Sequence, residues 1–522
     1  MSFSTILRLV LLCLPVVLWY SRRQRTLTIP PGPQGGFFSG VASVLSKTEP
    51  WRQYASWSKR YGDVISFRVY NQHIVVLNTY SAVHDLLDKR AAIYSDRPKS
   101  WMLHHLVGRE KTVFNIAASD ARHRRYRKIL HNELNQRATE RYAEILEDET
   151  TLLIQGLEQS PQGLEDHVRR HAGSVIMKLA FGYSVAEHDD FFVQAAEESS
   201  KISGFALAPG RWLVESYPLL RFVPLWFPGA GFKRQADVWR RRLDVLTDVP
   251  HQWVKTQMAS GNFIESFTSR LLRDSAGSPV SNEDEDIVKW CAAGLYAGAA
   301  DTTVSALLSF VMLMALHPNV QRRAQEEIDS SVGHGQPPTL ADTRHLEYLT
   351  CVMKEVLRFA PVGPLGSLNC VDPCQSALAH KVSRNDEYRG YLIPKDATVF
   401  ANVWSILHDA QMYPNPFAFD PGRFYPSDVP GEAKTQPDPR ELAFGFGRRV
   451  CPGSFFAEAS MLVAMGNLLF HFDIVAKRDG GAPSAQEVEF TTGITSHIKL
   501  FDVDFLPRET LGSRGESRSH PR

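Results

Sequence analysis

The sequence predicts a mainly α-helical fold with small β-sheets (α+β) and an N-terminal membrane anchor helix. Helical periodicity dominates the 522-residue chain from Ser81 to about Leu316. Short β-branched and aromatic runs precede that region and return after Ala360. An apolar run, Ile6–Tyr20, stands before all of these elements. Together these observations predict one large folded body behind an anchor.

The N-terminal run indicates an uncleaved anchor. As a helix, Ile6–Tyr20 spans roughly 22 Å, short of the ~30 Å hydrocarbon core, so a snorkelling Arg8 must help. A cleaved signal peptide is the alternative, but bulky residues stand where small ones would precede a cleavage site. Arginines directly after the run place the following domain in the cytosol. The predicted divisions are an anchor at 1–25, a Pro/Gly-rich hinge at 26–49, a folded domain at 50–508 and a polar disordered tail at 509–522.

Net charge and cysteine usage indicate which class of partner and which cellular compartment to expect. The 58 basic and 57 acidic residues nearly cancel, so nothing indicates a nucleic-acid partner. The six cysteines are scattered without a disulfide framework, which fits a reducing compartment.

The strongest elements are a hairpin and a long helix. Val64–Tyr70 and His73–Leu77 flank a turn at Asn71-Gln72, which predicts an antiparallel hairpin. Asp286–Leu316 is apolar nearly all round, follows an acidic run and stops before a His-Pro pair. A helix of that pattern must be buried through the middle of the fold.

The run Phe444-Gly-Phe-Gly-Arg-Arg-Val-Cys451-Pro-Gly453 predicts a cysteine held as a ligand. The segment that follows, Ser454–His471, has the pattern of an apolar helix. A cysteine just before a helix N-terminus meets unpaired N–H groups and the positive end of the helix dipole. Both favour the thiolate over the thiol.

The residues around this cysteine favour haem iron as its partner. Gly447 and Gly453 are expected to let the backbone approach a flat, bulky group, and Arg449 places a cation nearby. Phe444 supplies apolar cover. A thiolate with one open side and no neighbouring Cys or His ligand suits haem better than zinc or an iron–sulfur cluster. A structural cysteine in a Gly-rich turn is the alternative.

The same run resembles the haem-binding signature of the cytochrome P450 family, F-x-x-G-x-R-x-C-x-G. Every fixed position matches: Phe444, Gly447, Arg449, Cys451 and Gly453. The resemblance extends over about residues 30–508 and implies a single-domain P450 fold. It also implies haem b (iron protoporphyrin IX), with Cys451 as the axial thiolate ligand of the iron.

The central helix carries Gly298-Ala-Ala-Asp-Thr-Thr303. Its glycine and threonines weaken the helix locally and create a groove with an acid–hydroxyl pair in a dry setting. A kink or a packing glycine is the structural alternative. The family pattern here is A-G-x-D-T, which implies that Asp301 feeds protons and that Thr302 supports protonation of iron-bound dioxygen. The glycine stands one position early, so the groove departs from the family pattern.

Other motifs imply structural and cofactor roles. Glu355 and Arg358 match the family's E-x-x-R, and Arg423 lies in a match to P-x-R-F; the resemblance implies a structural triad that supports the cysteine loop. The family often has W-x-x-x-R on an earlier helix, where this chain has His123 and Arg127. Together with Arg449, these two imply contacts to the haem propionates.

Substrate regions follow from the resemblance. The segment 212–232 resembles a hydrophobic flap that dips into the membrane, with ordinary core aromatics as the alternative. The family also implies pocket-lining positions in four places: Trp101–Phe114, the central helix before Gly298, Pro361–Gly366 and Thr492–Ser496. An insertion at Ser367–Ala379, with Cys370 and Cys374, is either a surface loop or a gene-model error.

The resemblance implies a membrane-anchored haem-thiolate monooxygenase that oxidises a lipophilic small molecule with O2. No dinucleotide loop or flavin domain is visible, so electrons must come from a separate NADPH–cytochrome P450 reductase. The family arrangement places the enzyme on the endoplasmic reticulum membrane, facing the cytosol. Tyr94–Pro98 and Phe227–Phe232 resemble the fungal group that includes O-methylsterigmatocystin oxidoreductase, which suggests secondary metabolism. The alternatives are a reductase-independent isomerase or dehydratase, a non-catalytic haem-binding relic or sensor, and an interaction-only helical protein.

Overall fold

The computed structural model supports the predicted fold class. It describes residues 27–186, 190–207, 211–273, 276–333, 335–365, 379–426, 435–477, 488–492 and 495–508. Helices make up most of these residues, and the strands form small sheets. The predicted anchor at 1–25, the tail at 509–522 and the insertion up to Leu378 lie outside the described residues.

The α-helices, numbered along the chain, are interspersed with short 3₁₀ and π turns. They are α1 (Pro50–Tyr61), α2 (Tyr80–Val83), α3 (Ala91–Tyr94), α4 (Ala121–Leu134), α5 (Gln136–Thr139), α6 (Ala143–Gln159), α7 (Leu164–Phe181), α8 (Phe191–Ala206), α9 (Leu213–Ser216), α10 (Gly231–Ser260), α11 (Phe267–Leu271), α12 (Asn282–Leu316), α13 (Pro318–Ser331), α14 (Glu347–Phe359), α15 (Val403–Leu407), α16 (Arg440–Ala443) and α17 (Ser454–His471). Single π turns lie at His84–Lys89 and Trp101–Leu106.

The strands form a four-stranded sheet and two two-stranded antiparallel sheets. They are β1 (Val64–Val69), β2 (Gln72–Leu77), β3 (His380–Lys381), β4 (Asp386–Tyr388), β5 (Tyr391–Ile393), β6 (Thr398–Ala401), β7 (Phe472–Ala476) and β8 (Val503–Pro507). The larger sheet has the order β1-β2-β6-β3, in which β2 and β6 are parallel and the other pairs antiparallel. The predicted hairpin is confirmed, with its turn at Tyr70-Asn71.

The predicted central helix is confirmed as α12. Ser281 caps its N-terminus by accepting a hydrogen bond from the backbone N–H of Asp284, and acidic residues occupy its first turn. The helix ends at Leu316, because Pro318 starts the next helix. Its second half is almost completely buried among side chains of α6, α7, α14 and α17.

α12 is also the one helix, within the described part of the chain, that is long and apolar enough to cross a membrane. Two thirds of its most apolar window, 67%, is buried inside the protein. Its apolar character therefore belongs to the core of the fold.

Candidate functional site

The cysteine loop is a tight turn between α16 and α17. The backbone N–H of Cys451 donates to the carbonyl of Phe444 at 2.7 Å, which closes the loop. Phe446 is buried, whereas Phe444 is partly buried against the main core. Helix α17 begins at Ser454, three residues after the cysteine. The fold thus presents Cys451 at the start of a buried helix, as the sequence indicates.

The expected role of Gly447 needs correction. Its φ is +52°, and a Cβ atom there would lie 2.3 Å from the carbonyl oxygen of Leu87 and 2.8 Å from Cβ of Ala91. The glycine is therefore required by close packing of protein against protein, not by approach to a flat ligand. At Gly453, a Cβ atom would meet a Leu134 methyl group at an ordinary 3.6 Å.

The thiol of Cys451 is not activated by the fold alone. Burial raises its pKa, and the opposing influences of the Gly453 backbone and Arg127 are weaker. The preference for thiolate that the helix N-terminus predicts is opposed here by burial, and it stays a prediction. Coordination to a metal deprotonates a thiol outright, so a ligand role for Cys451 stays compatible with this environment.

The buried Arg97 and the partly buried Arg449 lie beside the cysteine loop. Arg449 donates to the carbonyls of Ser95 (2.8 Å) and Ile116 (2.5 Å), and burial lowers its pKa to about 10. Arg97 donates to the carbonyls of Phe114 (3.1 Å) and Ala379 (2.9 Å). Burial also lowers the pKa of Arg97, and the charge of Arg449 adds to the effect.

The cluster extends to Arg127 and two histidines. Arg127 donates to the carbonyl of Val450 at 2.5 Å, next to the cysteine. Burial, with the nearby arginines, lowers the pKa of His123 to about 4 and that of His380 to about 3. Both imidazoles are therefore neutral at pH 7, and the charge of the cluster comes from its arginines.

This donor set fits a group with two carboxylates. Arg97, Arg127 and Arg449 bring positive charges close together, and Asp96 offsets the charge of Arg449. Placing like charges together in low dielectric is costly unless an anion joins them. The propionates of a haem bound at Cys451 meet this need. Sequence reasoning missed Arg97 and His380 as site residues; for Arg97, the resemblance of the run Tyr94–Pro98 to family sequences was the available signal.

Asp301 and Thr302 on α12 have different hydrogen-bond partners and do not bond to each other in the described contacts. Thr302 donates its hydroxyl hydrogen to the Gly298 carbonyl at 2.9 Å, one turn back on the helix. Asp301 instead binds Arg169 and His497, each at 3.2 Å, and Thr495. The carboxylate is about one-third exposed, 34%, so the expected dry acid–hydroxyl pair is not what the structure shows.

The glycine of the α12 motif has a packing role. A Cβ atom at Gly298 would approach the ring of Phe114 to 3.0 Å. The helix runs without a break through Gly298 and Thr303. The structural alternative of a packing glycine therefore describes this position.

Glu355, Arg358 and Arg423 are brought together in the core. Arg358 contacts both carboxylate oxygens of Glu355, at 2.7 and 2.8 Å, and Arg423 binds the same carboxylate at 3.1 Å. The side chains of Glu355 and Arg358 are completely buried, and that of Arg423 is 2% exposed. The three ions thus form one buried network, in which every charge has a partner.

The remaining donors of the two arginines bind a loop that leads toward the cysteine. Their guanidinium groups donate to the backbone carbonyls of Leu407, Pro414, Pro416 and Ala418. The described contacts of the triad therefore stabilise the segment 407–420 and, through Arg423, Gln436, but do not include the cysteine loop itself. A second chain of ion pairs links α14 to α17 past the loop, through Lys354, Asp438, Arg440 and Glu458.

The segment 213–227, named here the apolar flap, is exposed. Leu219, Phe222 and Trp226 have 79%, 67% and 81% of their surface accessible, which excludes the alternative of ordinary core aromatics for them. The flap is tied to the segment Trp101–Leu106 by Glu215, whose carboxylate accepts hydrogen bonds from the backbone N–H groups of Trp101 (2.9 Å) and Met102 (2.8 Å).

Comparison with known proteins agrees with this geometry. The family model described as Cytochrome P450 matches residues 30–505. Cytochrome P450 monooxygenase 208 of Postia placenta is 38% identical, over 96% of this chain and 94% of that protein. Cytochrome P450 monooxygenase claR of Ampulloclitocybe clavipes is 35% identical, over 93% and 87%. Tryptamine 4-monooxygenase of Psilocybe cyanescens is 33% identical, over 96% and 98%. With its signature cysteine at the start of a buried helix, the chain belongs to the cytochrome P450 family.

Proposed function

We propose that the protein is a haem-thiolate monooxygenase that oxidises a lipophilic small molecule. The balanced reaction is RH + O2 + NADPH + H⁺ → ROH + H2O + NADP⁺, with electrons delivered by a separate NADPH–cytochrome P450 reductase. The observation that carries the proposal is Cys451 beside the buried Arg97 and the partly buried Arg127 and Arg449. The similarity to fungal monooxygenases supports it and favours a role in fungal secondary metabolism.

The protein's own residues have distinct tasks in this proposal. Cys451 would bind the iron, and the arginines with His123 and His380 would hold the propionates. The bound haem supplies the activation of dioxygen and the transfer of oxygen to substrate. Asp301 and Thr302 would relay protons along α12: the carboxylate of Asp301, ionised at rest, would accept a proton and pass it on. Burial acts to raise its pKa, but hydrogen bonds from His497 and Thr495 and the charge of Arg169 outweigh burial and lower it.

Replacing Asp301 tests this proposal against its alternatives. Asp301→Asn keeps the side-chain shape but removes the charge, so NADPH-supported oxidation of a lipophilic alkoxycoumarin probe is expected to fall by about 10²-fold. Glu283→Gln, an exposed carboxylate on the same helix, is the matched control and is expected to retain full activity.

The alternatives predict other results. An isomerase or dehydratase would turn over its substrate without NADPH or reductase. A haem-binding relic would consume no oxygen even when NADPH and reductase are supplied. The monooxygenase proposal is contradicted if purified holoprotein, supplied with reductase and NADPH, shows no oxygen consumption above a haem-free control. The Asp301 role alone is contradicted if Asp301→Asn and Glu283→Gln turn over equally.

The exposed apolar flap supports a membrane location. We propose that the anchor at 1–25 lies in the endoplasmic reticulum membrane and that the flap contacts its cytosolic face. A fully buried Leu, Phe or Trp contributes about 1.5–3 kcal/mol of transfer free energy. Three such side chains within the exposed flap form an apolar patch, which is the usual mark of an interaction surface. Lipophilic substrates would enter from the same surface.

Polar replacements in the flap are expected to weaken membrane binding. In a form beginning at residue 27, Leu219→Ser with Trp226→Ser is expected to bind phosphatidylcholine vesicles roughly tenfold less tightly, since partial burial of each side chain is lost. Co-sedimentation measures the effect. The matched control replaces exposed apolar residues elsewhere, Phe191 and Leu506, by serine. Equal binding of both double variants would contradict a membrane role for the flap.

A further inference from the structure

The carboxylate of Asp301 is held by residues far away in the chain. Arg169 on α7 donates to Oδ1 at 3.2 Å. On Oδ2, His497 lies at 3.2 Å and Thr495 donates its hydroxyl hydrogen. Thr495 and His497 belong to a turn near the C-terminus, named here the C-terminal turn (residues 495–498). The resemblance assigns part of this turn to the substrate pocket, whereas the structure places it against the acid.

The C-terminal turn is fixed along one face of α12. Ser305 donates its hydroxyl hydrogen to the carbonyl of Ser496 at 2.6 Å, and Ser305 lies one helical turn beyond Asp301, on the same face. The backbone N–H of Ser496 donates to the carbonyl of Val362 at 3.0 Å. Thr495 and Ser496 are both buried. The turn therefore cannot shift without disturbing the bonds to Asp301.

Thr495, His497 and Asp301 form a short hydrogen-bonded chain. Nε2 of His497 lies 2.9 Å from the hydroxyl oxygen of Thr495, which in turn bonds the carboxylate. Nδ1 of His497 is buried and has no hydrogen-bond partner among the residues that the structure describes. A proton on Nε2 alone satisfies this arrangement, because a second proton on Nδ1 would be a buried donor without an acceptor.

The side chains around Asp301 divide into two groups. Arg169 also binds Glu165, so its charge is shared between two carboxylates, one of which faces solvent. Thr495 and His497 have no other carboxylate among their described contacts, and their hydrogen bonds act on Asp301. The hydrogen bonds that fix the orientation of Asp301 on α12 come chiefly from the C-terminal turn.

We propose that Thr495 and His497 are positioning residues, which hold the carboxylate of Asp301 in place on α12 for proton delivery. The inference rests on the proposed function of Asp301. Without these donors, the carboxylate would turn toward Arg169 and solvent, and Asp301 would relay protons too slowly. Electrons from NADPH then leave as hydrogen peroxide, O2 + 2 e⁻ + 2 H⁺ → H2O2, instead of appearing in product.

Paired variants of the full-length holoenzyme test the inference. Thr495→Val and His497→Ala remove the donors, whereas Thr495→Ser and His497→Gln retain a donor at the same place. With reductase, NADPH and the alkoxycoumarin probe, the first pair is expected to lower product per NADPH about tenfold and to release peroxide. The second pair is expected to restore most of the yield. Lys499→Gln, exposed in the same segment, is the matched control.

Two further measurements separate positioning from a general structural effect. Cumene hydroperoxide oxidises the probe by RH + R′OOH → ROH + R′OH, which draws no protons from solvent. All variants are expected to retain this activity. In addition, the melting temperatures of His497→Ala, Asp301→Asn and the double variant are expected to be non-additive, because the two side chains contact each other. This readout does not depend on turnover.

The possible outcomes are distinguishable. If the donor-deleting pair keeps the wild-type yield while Asp301→Asn does not, the positioning inference is wrong and the proposed function stands. If Asp301→Asn itself keeps the yield, the proposed role of Asp301 fails. If Thr495→Val and His497→Ala lose the peroxide-supported activity as well, the two residues are merely structural and the inference is overturned. If the melting temperatures add, His497 and Asp301 are not coupled and the inference is overturned too. Should Thr495→Val or His497→Ala fail to fold, Thr495→Ser and His497→Gln decide: wild-type yield supports the inference, and a tenfold loss overturns it.

Discussion

Replacement of Cys451 by serine is expected to reduce NADPH-supported oxidation by at least about 10³-fold while leaving the polypeptide folded. The thiolate is the proposed axial ligand, and a serine hydroxyl does not replace it as a donor to iron. The fold should persist because the loop is closed by the backbone bond from Cys451 to Phe444, which serine also makes. Activity with the alkoxycoumarin probe and thermal unfolding measure the two effects separately.

The control for this variant is another buried cysteine. Cys351 is a free thiol in the core, and burial raises its pKa to about 11, so it is inert. Cys351→Ser is expected to lose some stability but to keep most of its activity per bound haem. The account is contradicted if Cys451→Ser retains activity comparable to that of Cys351→Ser.

Neutralising Glu355 is expected to have the largest effect on stability. Removing one partner from a buried ion network typically costs about 3–5 kcal/mol, a large part of the roughly 5–15 kcal/mol by which a typical domain is stable. Glu355→Gln leaves Arg358 and Arg423 buried with uncompensated charge. We expect little soluble protein, and a strongly lowered melting temperature for any that is recovered.

Glu347→Gln provides the control on the same helix. Glu347 is exposed at the start of α14, and its neutralisation is expected to change stability by less than about 0.5 kcal/mol. Yield and melting temperature compare the two variants directly. A Glu355→Gln protein as stable as Glu347→Gln would show that the buried network does not hold the segment 407–420.

Features that depend on residues close together in the chain could be predicted from the sequence. The hairpin β1–β2 and the buried helix α12 follow from local periodicity and from turn and capping residues, which act over a few positions. The pairing of Glu355 with Arg358 follows from helical spacing. The third member, Arg423, could be assigned only through the family resemblance, since it lies 68 positions from Glu355.

Contacts between distant segments could not be predicted. Arg97 joins Arg127 and Arg449 because a loop after α3 lies beside the cysteine loop, and no local pattern marks that approach. Thr495 and His497 reach Asp301 across 194 and 196 positions. The reason for glycine at position 447 could not be predicted either. A side chain there would collide with the backbone of Leu87, which is distant in the sequence.

The most direct test of the haem-thiolate assignment is the reduced, carbon-monoxide difference spectrum of the full-length protein. The account predicts a Soret band at the red-shifted position that is typical of thiolate-ligated haem. A parallel form that lacks residues 367–378 separates the site from the insertion, since a band in that form alone would identify the insertion as a gene-model error. Absence of the red-shifted band in both forms would contradict Cys451 as the ligand of haem iron.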